Sequence, residues 1–311
     1  MRKKALGVFA LILMCILLTG CIKIDLDLPD PMPITVYTSF FPVYVLAEAI
    51  TRDIPNLTVY CLTQPQNGCL RSYTLSDWDA ALLAVADIFV SCGIEDASFF
   101  NALSDAAATV DLSRNLPLIE STGTEESHFN GLNPWYFLSV SGMRSMLAVF
   151  AGAMAQLDPD CAALYEANRA AADEKLASLE AEMKAIYAAG VPEGAILMQE
   201  GLEYIAQEAG IGQYLMIERE AGAPMGDNEY ASALKRMKGS GYSTILTERQ
   251  VPDSLATLLE ADGFTVIKLD IMNDHLPQDG LDGYISGMLG NTRAISQAFV
   301  KEISPVGSNQ E

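Results

Sequence analysis

The chain has 311 residues, 40 of them acidic and 19 basic, for a net charge of −21. Such an excess of negative charge argues against nucleic acid as a partner, because phosphate backbones are held by Lys and Arg. Half of the residues are hydrophobic, enough for a large core in a chain near the size at which one core divides into two lobes.

The first stretch, MRKKALGVFALILMCILLTGC, sets Arg2, Lys3 and Lys4 before an apolar run from Ala5 to Leu18 and ends on Thr19-Gly20-Cys21. That run is too short to span a bilayer comfortably and fits a secretory signal, residues 1–20. The small pair before Cys21 resembles the bacterial lipobox, in which the thiol accepts a lipid before cleavage. The expectation is a lipid-anchored, extracytoplasmic protein whose mature chain starts at Cys21. Loss of the leader removes three positive charges and no acid, taking the net charge to −24. Residues 21–33, rich in Pro and Asp, read as a tether.

Short apolar, β-branched runs at 34–40, 57–63, 86–92 and 109–113 have the pattern of buried parallel strands, and helical patterns at 42–54, 76–85 and 97–106 lie between them. A polar loop at 114–135 leads to a helix at 141–157. Residues 158–189 then predict one long helix, with Asp158 as N-cap, Pro159 at the first helical position and Gly190 just past the end. Tyr165, Ala172, Leu176, Leu179, Met183 and Ile186 give it one apolar stripe, interrupted near Asn168 and Arg169. At about 1.5 Å per residue it would run on the order of 45 Å, longer than one lobe needs. The alternation then resumes, with strands at 194–199, 214–218, 243–247 and 264–269 and helices at 200–209, 228–238, 253–262 and 280–303. The fold class is therefore α/β. An N-terminal parallel-sheet lobe (34–157) and a C-terminal one (190–311) are joined by the helix 158–189. In such sheets ligands bind at the carboxyl ends of the strands, and here both sets can face one cleft.

Beyond Cys15 and Cys21, four cysteines remain: Cys61, Cys69, Cys92 and Cys161. Their spacing carries no zinc-finger pattern. In an exported chain Cys61 and Cys69, flanking a short turn, are the expected disulfide, with Cys69–Cys92 as the competing pair. The hydrolase, zincin, P-loop and dinucleotide signatures are absent, so the chain is read as a binding protein and not an enzyme. Two histidines exist, His128 and His275, and each reads more readily as a surface residue than as a base or ligand.

The segments ITVYTSFFPVYVLAEAI, SYTLSDWDAALLAVADIFVSCGIE and NPWYFLSVSGMRSMLAVFAGAMAQLDPDCAALYEAN, and the alternation from GAILMQEGLEYIAQEAGI to TVIKLD, resemble the zinc- and manganese-binding receptors of bacterial ABC importers. The likeness covers nearly all of the mature chain. It implies two lobes joined by one long helix, a zinc or manganese ion as cargo, and a membrane permease as partner. In that family three histidines and an acid hold the ion. Here the first histidine position has Cys69, the second, after Asn133-Pro134, has Trp135, and the third has Gln199, while Asp270 keeps the family's residue type. The histidine-rich loop of many zinc receptors is reduced to His128.

These changes alter the chemistry, since an amide oxygen is a poor zinc ligand and indole nitrogen is none. Cys69 could ligate as a thiolate, though not within a disulfide. Glu200, Glu248 or His128 could substitute, and Gln199, Glu248 and Asp270 together would suit a hard cation such as manganese or calcium. Trp135 could instead stack against an organic solute. The residues thus leave open a receptor for a non-metal solute and a cell-surface interaction protein that has lost transport.

Overall fold

The computed structural model describes residues 33–63, 73–93, 95, 97–114, 116–120 and 132–303. Cys21, Cys69 and His128 lie outside the described residues, as do the leader and most of the tether. From Ile34 onward the chain is one compact unit. Two four-stranded parallel sheets form within it. The first, in the order β2-β1-β3-β4, comprises β1 (Ile34–Thr38), β2 (Leu57–Cys61), β3 (Ile88–Ser91) and β4 (Ala108–Asp111). The second repeats the order as β6-β5-β7-β8, with β5 (Gly194–Leu197), β6 (Gln213–Met216), β7 (Thr244–Glu248) and β8 (Thr265–Leu269). In each the order reverses beside the first strand, which opens a crevice at the carboxyl end.

The central strands β3, β5 and β7 are buried along their whole length, which is why they read as continuous apolar runs without alternation. Helices cover them. In the first lobe these are α1 (Phe41–Thr51), α2 (Asp77–Leu83), α3 (Ala97–Ala102) and α4 (Val140–Leu157). Along α4, Met143, Met146, Leu147, Phe150 and Met154 are fully buried, each contributing about 1.5–3 kcal/mol of transfer free energy. α2 starts at a full capping box, in which Ser76 Oγ accepts from the Asp79 amide and the Asp79 carboxylate accepts from the Ser76 amide.

The long helix α5 runs over Ala162–Tyr187, shorter at both ends than the sequence pattern predicts. A 3₁₀ turn at Pro159–Cys161 precedes it. Asp158 does not cap it; its carboxylate accepts a hydrogen bond from the Tyr165 hydroxyl (2.9 Å), one turn inside. The apolar stripe is present, with Tyr165, Ala172, Leu176, Leu179 and Met183 buried. Asn168 interrupts it for a reason: its amide donates to the Ile50 and Arg52 carbonyls (2.9 and 2.8 Å), closing the end of α1. α5 packs on α1 and α4 of the first lobe and on α9 (Gly280–Ile303) of the second, so it spans both. At Gly190 the chain turns with φ +123, and a β-carbon there would meet the Phe299 ring at 2.1 Å, so both backbone and space require glycine. The remaining helices, α6 (Leu202–Ala209), α7 (Asp227–Ser240) and α8 (Asp253–Ala261), complete the second lobe. Among the described residues no helix is long and apolar enough to cross a membrane.

Candidate functional site

The segment 133–141, which enters α4, is bonded to residues that follow β5 of the second sheet and β3 of the first. Asn133 is fully buried, and its amide donates to the Glu200 carbonyl (2.9 Å) and the Glu203 carboxylate (2.8 Å) in the second lobe. The Tyr204 hydroxyl donates to the Asn133 carbonyl (2.8 Å), and the Tyr284 hydroxyl to that of Phe137 (2.9 Å). From the first lobe's side, Tyr136 donates to the Cys92 carbonyl (3.1 Å). Trp135 sits within this segment at 0% exposure, its ring 5.6 Å from that of Phe137. It is a core aromatic, not a stacking surface offered to solvent.

A second tie between the lobes is Glu208, on α6. Its carboxylate accepts from the Val140 and Ser141 amides (2.7 and 3.3 Å), where the positive end of the α4 dipole favours an anion. Burial nevertheless pushes its carboxyl up from an ordinary 4.5 to about 7, with those amides acting against the rise and Glu180 adding to it. Between these two values the folded protein holds a proton that the unfolded chain has lost. The stability contributed by this group is therefore complete below pH 4.5 and is lost as pH rises through about 7. Each pKa unit corresponds to about 1.4 kcal/mol, so the contribution is on the order of 3 kcal/mol. Chemical denaturation between pH 4.5 and 8 should show this loss in the wild type but not in Glu208→Gln. Parallel profiles for the two proteins would contradict the assignment.

At the carboxyl end of β8 stands Asp270. Asn291 of α9 pins its backbone, accepting from the Asp270 amide (2.7 Å) and donating to its carbonyl (2.8 Å). The Met272 amide donates to Asp270 Oδ1 (2.8 Å), and Met272 is held at φ +62, a strained conformation for such a residue. α9 approaches so closely that a β-carbon on Gly287 would lie 2.8 Å from Asp270 Oδ2. The carboxylate is not free. His275 Nε2 lies 2.6 Å from Oδ2, and Arg249 Nη1 lies 3.2 Å from the same oxygen. Burial acts to raise the Asp270 pKa, but the His275 hydrogen bond and charge, the Met272 amide and Arg249 outweigh it and hold the carboxyl below its usual range. Arg249 also grips Asp274, through Nε (3.2 Å) and Nη2. The His275 ring stacks on Phe41 of α1, centroids 4.7 Å apart, and so joins this cluster to the first lobe.

The other expected ligands are placed differently. Gln199 is 4% exposed at the end of β5, and its Oε1 has no partner among the described residues; nor has Trp135 Nε1. Glu248 is fully buried and committed elsewhere: its carboxylate accepts from Arg219, the Gly222 amide (3.0 Å) and the Thr247 hydroxyl (2.9 Å). Among the described residues the only group of three or more His, Cys, Asp and Glu side chains whose ligating atoms converge within 4.8 Å is Asp270, Asp274 and His275. Of the expected grouping of Gln199, Glu248 and Asp270, Glu248 is thus engaged by Arg219 and Asp270 by His275 and Arg249. Cys61 Sγ donates to the Thr63 carbonyl (3.3 Å), and Cys69, its expected disulfide partner, lies outside the described residues. Burial pushes that thiol up to about 12.

Arg249, Asp274 and His275 were not singled out by the sequence as partners of Asp270. Neither was Glu95, which follows β3 and whose carboxylate accepts from the Cys92 and Gly93 amides (3.1 and 2.8 Å) and the Ser39 hydroxyl. The available signal was the run Asn273-Asp274-His275 just beyond the strand that ends at Asp270.

Three solved structures share this architecture. The nickel-bound solute-binding protein FpvC of Pseudomonas aeruginosa is 17% identical, with a TM-score of 0.75 over 90% of this chain and 100% of its own. ZnuA is 22% identical, with a TM-score of 0.69 over 86% and 99%. A manganese-bound periplasmic metal-binding protein of Candidatus Liberibacter asiaticus, solved as a point mutant, is 19% identical, with a TM-score of 0.70 over 85% and 99%. No curated protein sequence matches the chain. The family described as zinc-uptake complex component A, periplasmic, matches residues 36–298, from the first strand to the last helix. The chain belongs to that family.

Proposed function

We propose that this chain is the solute receptor of an ABC importer of the zinc-uptake type, anchored outside the cytoplasmic membrane through Cys21, and that it presents a first-row divalent cation to a membrane permease. The observation that carries the reading is Asp270, which Asn291 and Met272 hold at the carboxyl end of β8, where the resemblance of the sequence puts the family's acid. Support for the cargo class comes from the nickel- and manganese-bound relatives. Support for the anchor comes from the leader ending at Cys21 and the short tether behind it. The donor set differs from a zinc site of three imidazoles: Trp135 cannot ligate, Gln199 offers a weak amide oxygen, and Asp270 is already paired with cations of the protein. Binding is accordingly weaker than in a receptor with the full histidine set. A second reading, a small polar solute, is favoured by the two buried atoms without partners, Trp135 Nε1 and Gln199 Oε1.

Metal accumulation from limiting medium tests the reading. Deleting the gene should lower uptake of manganese or zinc, and wild type should restore it. The Cys21→Ala variant should fractionate away from membranes and restore uptake poorly. Unchanged accumulation of every first-row divalent ion would contradict the transport role, and Cys21→Ala protein remaining with membranes would contradict the anchor.

A further inference from the structure

We propose that Arg249 is a resident counter-ion in the cleft, and that a divalent cation binds to Asp270, Asp274 and His275 by displacing its guanidinium. The inference rests on the reading of the chain as a cation receptor and adds how its site is controlled.

One imidazole and two carboxylates converging within 4.8 Å form a ligand set suited to manganese, iron or zinc. All three lie on the turn after β8, and that turn is built rather than loose. Asn291 pins its first residue, Met272 carries its strained backbone, and the Asn273 and Gln250 amides hold each other reciprocally at 3.1 Å. Phe41 fixes the plane of the His275 ring from the other lobe. What stands among these ligands is a positive charge of the protein: Nη1 is 3.2 Å from Asp270 Oδ2, while Nε and Nη2 face Asp274.

Arg249 follows directly on β7, and its side chain is 49% exposed, against 6% for Asp270. Arginine always carries its charge, so one of the two negative charges of the acid pair is balanced without cargo. A guanidinium half in water has room to swing outward, but doing so breaks its pair with the buried Asp270, and that cost is subtracted from the affinity of an incoming cation. A separate observation lies at the same carboxyl edge of the sheet. The end of β5, the strand beside β7, holds the buried Gln199 Oε1 without a donor, an acceptor that the guanidinium does not satisfy. The family's cargo is thus answered here by a built-in competitor. That competitor accounts for an ordered cluster of ligands in a chain lacking the family's three histidines.

The test is calorimetric titration of manganese and of zinc into mature wild type, Arg249→Gln, Arg249→Lys and Arg249→Gln/Asp270→Asn. Arg249→Gln should bind at least about tenfold more tightly than wild type, equivalent to about 1.4 kcal/mol. Arg249→Lys, which keeps the charge, should stay near wild type, and the double variant should lose the gain. Thermal unfolding with and without manganese gives a second readout: a rise in midpoint for Arg249→Gln and little or none for wild type. Equal affinities of wild type and Arg249→Gln would overturn the proposal, as would a gain that survives Asp270→Asn or is shared by Arg249→Lys. These outcomes are separable from the transport role. A gain in Arg249→Gln alongside unchanged cellular uptake on gene deletion would leave the counter-ion standing and remove the import function.

Discussion

Arg219→Met should lower the stability of the protein by about 3–5 kcal/mol, one of the two largest effects expected of any single substitution here. Arg219 and Glu248 form an ion pair with side chains 3% and 0% exposed. Arg219 Nη1 also donates to the Glu220 and Ala223 carbonyls (2.7 and 2.9 Å), so the pair folds the loop after β6 onto the end of β7. Burial lowers the Arg219 pKa even beside Glu248, which registers the cost of desolvating the guanidinium. Removing one partner leaves the other charge buried and unpaired, and that penalty exceeds the net worth of the intact pair. Glu248→Leu should therefore be comparably harmful, while the double variant Arg219→Met/Glu248→Leu should recover most of the loss. Urea midpoints of the four proteins form the cycle. Additive losses in the double variant would contradict the assignment, and would return Glu248 to the list of residues available to a cation.

Trp135→Ala should cost about 3–5 kcal/mol, the usual toll of emptying a fully buried aromatic site. The ring is sealed from solvent and packs against Phe137, between an Asn133 held by the second lobe and a Tyr136 held by the first. Trp135→Phe should be far milder, because it keeps ring contact and removes an indole N–H that has no acceptor. If Trp135 were instead a platform for a solute, the alanine variant would retain most of its stability and lose solute binding, the opposite of what its burial predicts. Denaturant unfolding of both variants, compared at equal m-values, separates these outcomes.

The fold was legible because buried parallel strands and amphipathic helices leave different patterns, and this chain alternates them twice. Where the reading ran long, it followed buried residues beyond the ladder: Leu62 and Thr63 are buried past the end of β2. The start of the long helix was misread because Asp158-Pro159 has the local chemistry of a cap, and only tertiary packing brings Tyr165 to that carboxylate. Asp270 was legible through its place after TVIKL. Its partners were not, since Arg249 lies 21 positions upstream and meets it only because β7 and β8 are neighbours. Glu248 looked like a ligand for the same reason in reverse: an acid at a strand end is conspicuous, whereas Arg219 on the preceding loop gives no local sign of the pairing.

The most direct measurement is zinc titration of the wild-type mature protein beside Asp270→Ala at neutral pH. With indole and amide at two of the positions where the resemblance expects histidine, and Arg249 and His275 on Asp270, the wild type should give weak heats without a stoichiometric, nanomolar transition. Stoichiometric zinc binding at nanomolar affinity, abolished by Asp270→Ala, would contradict it.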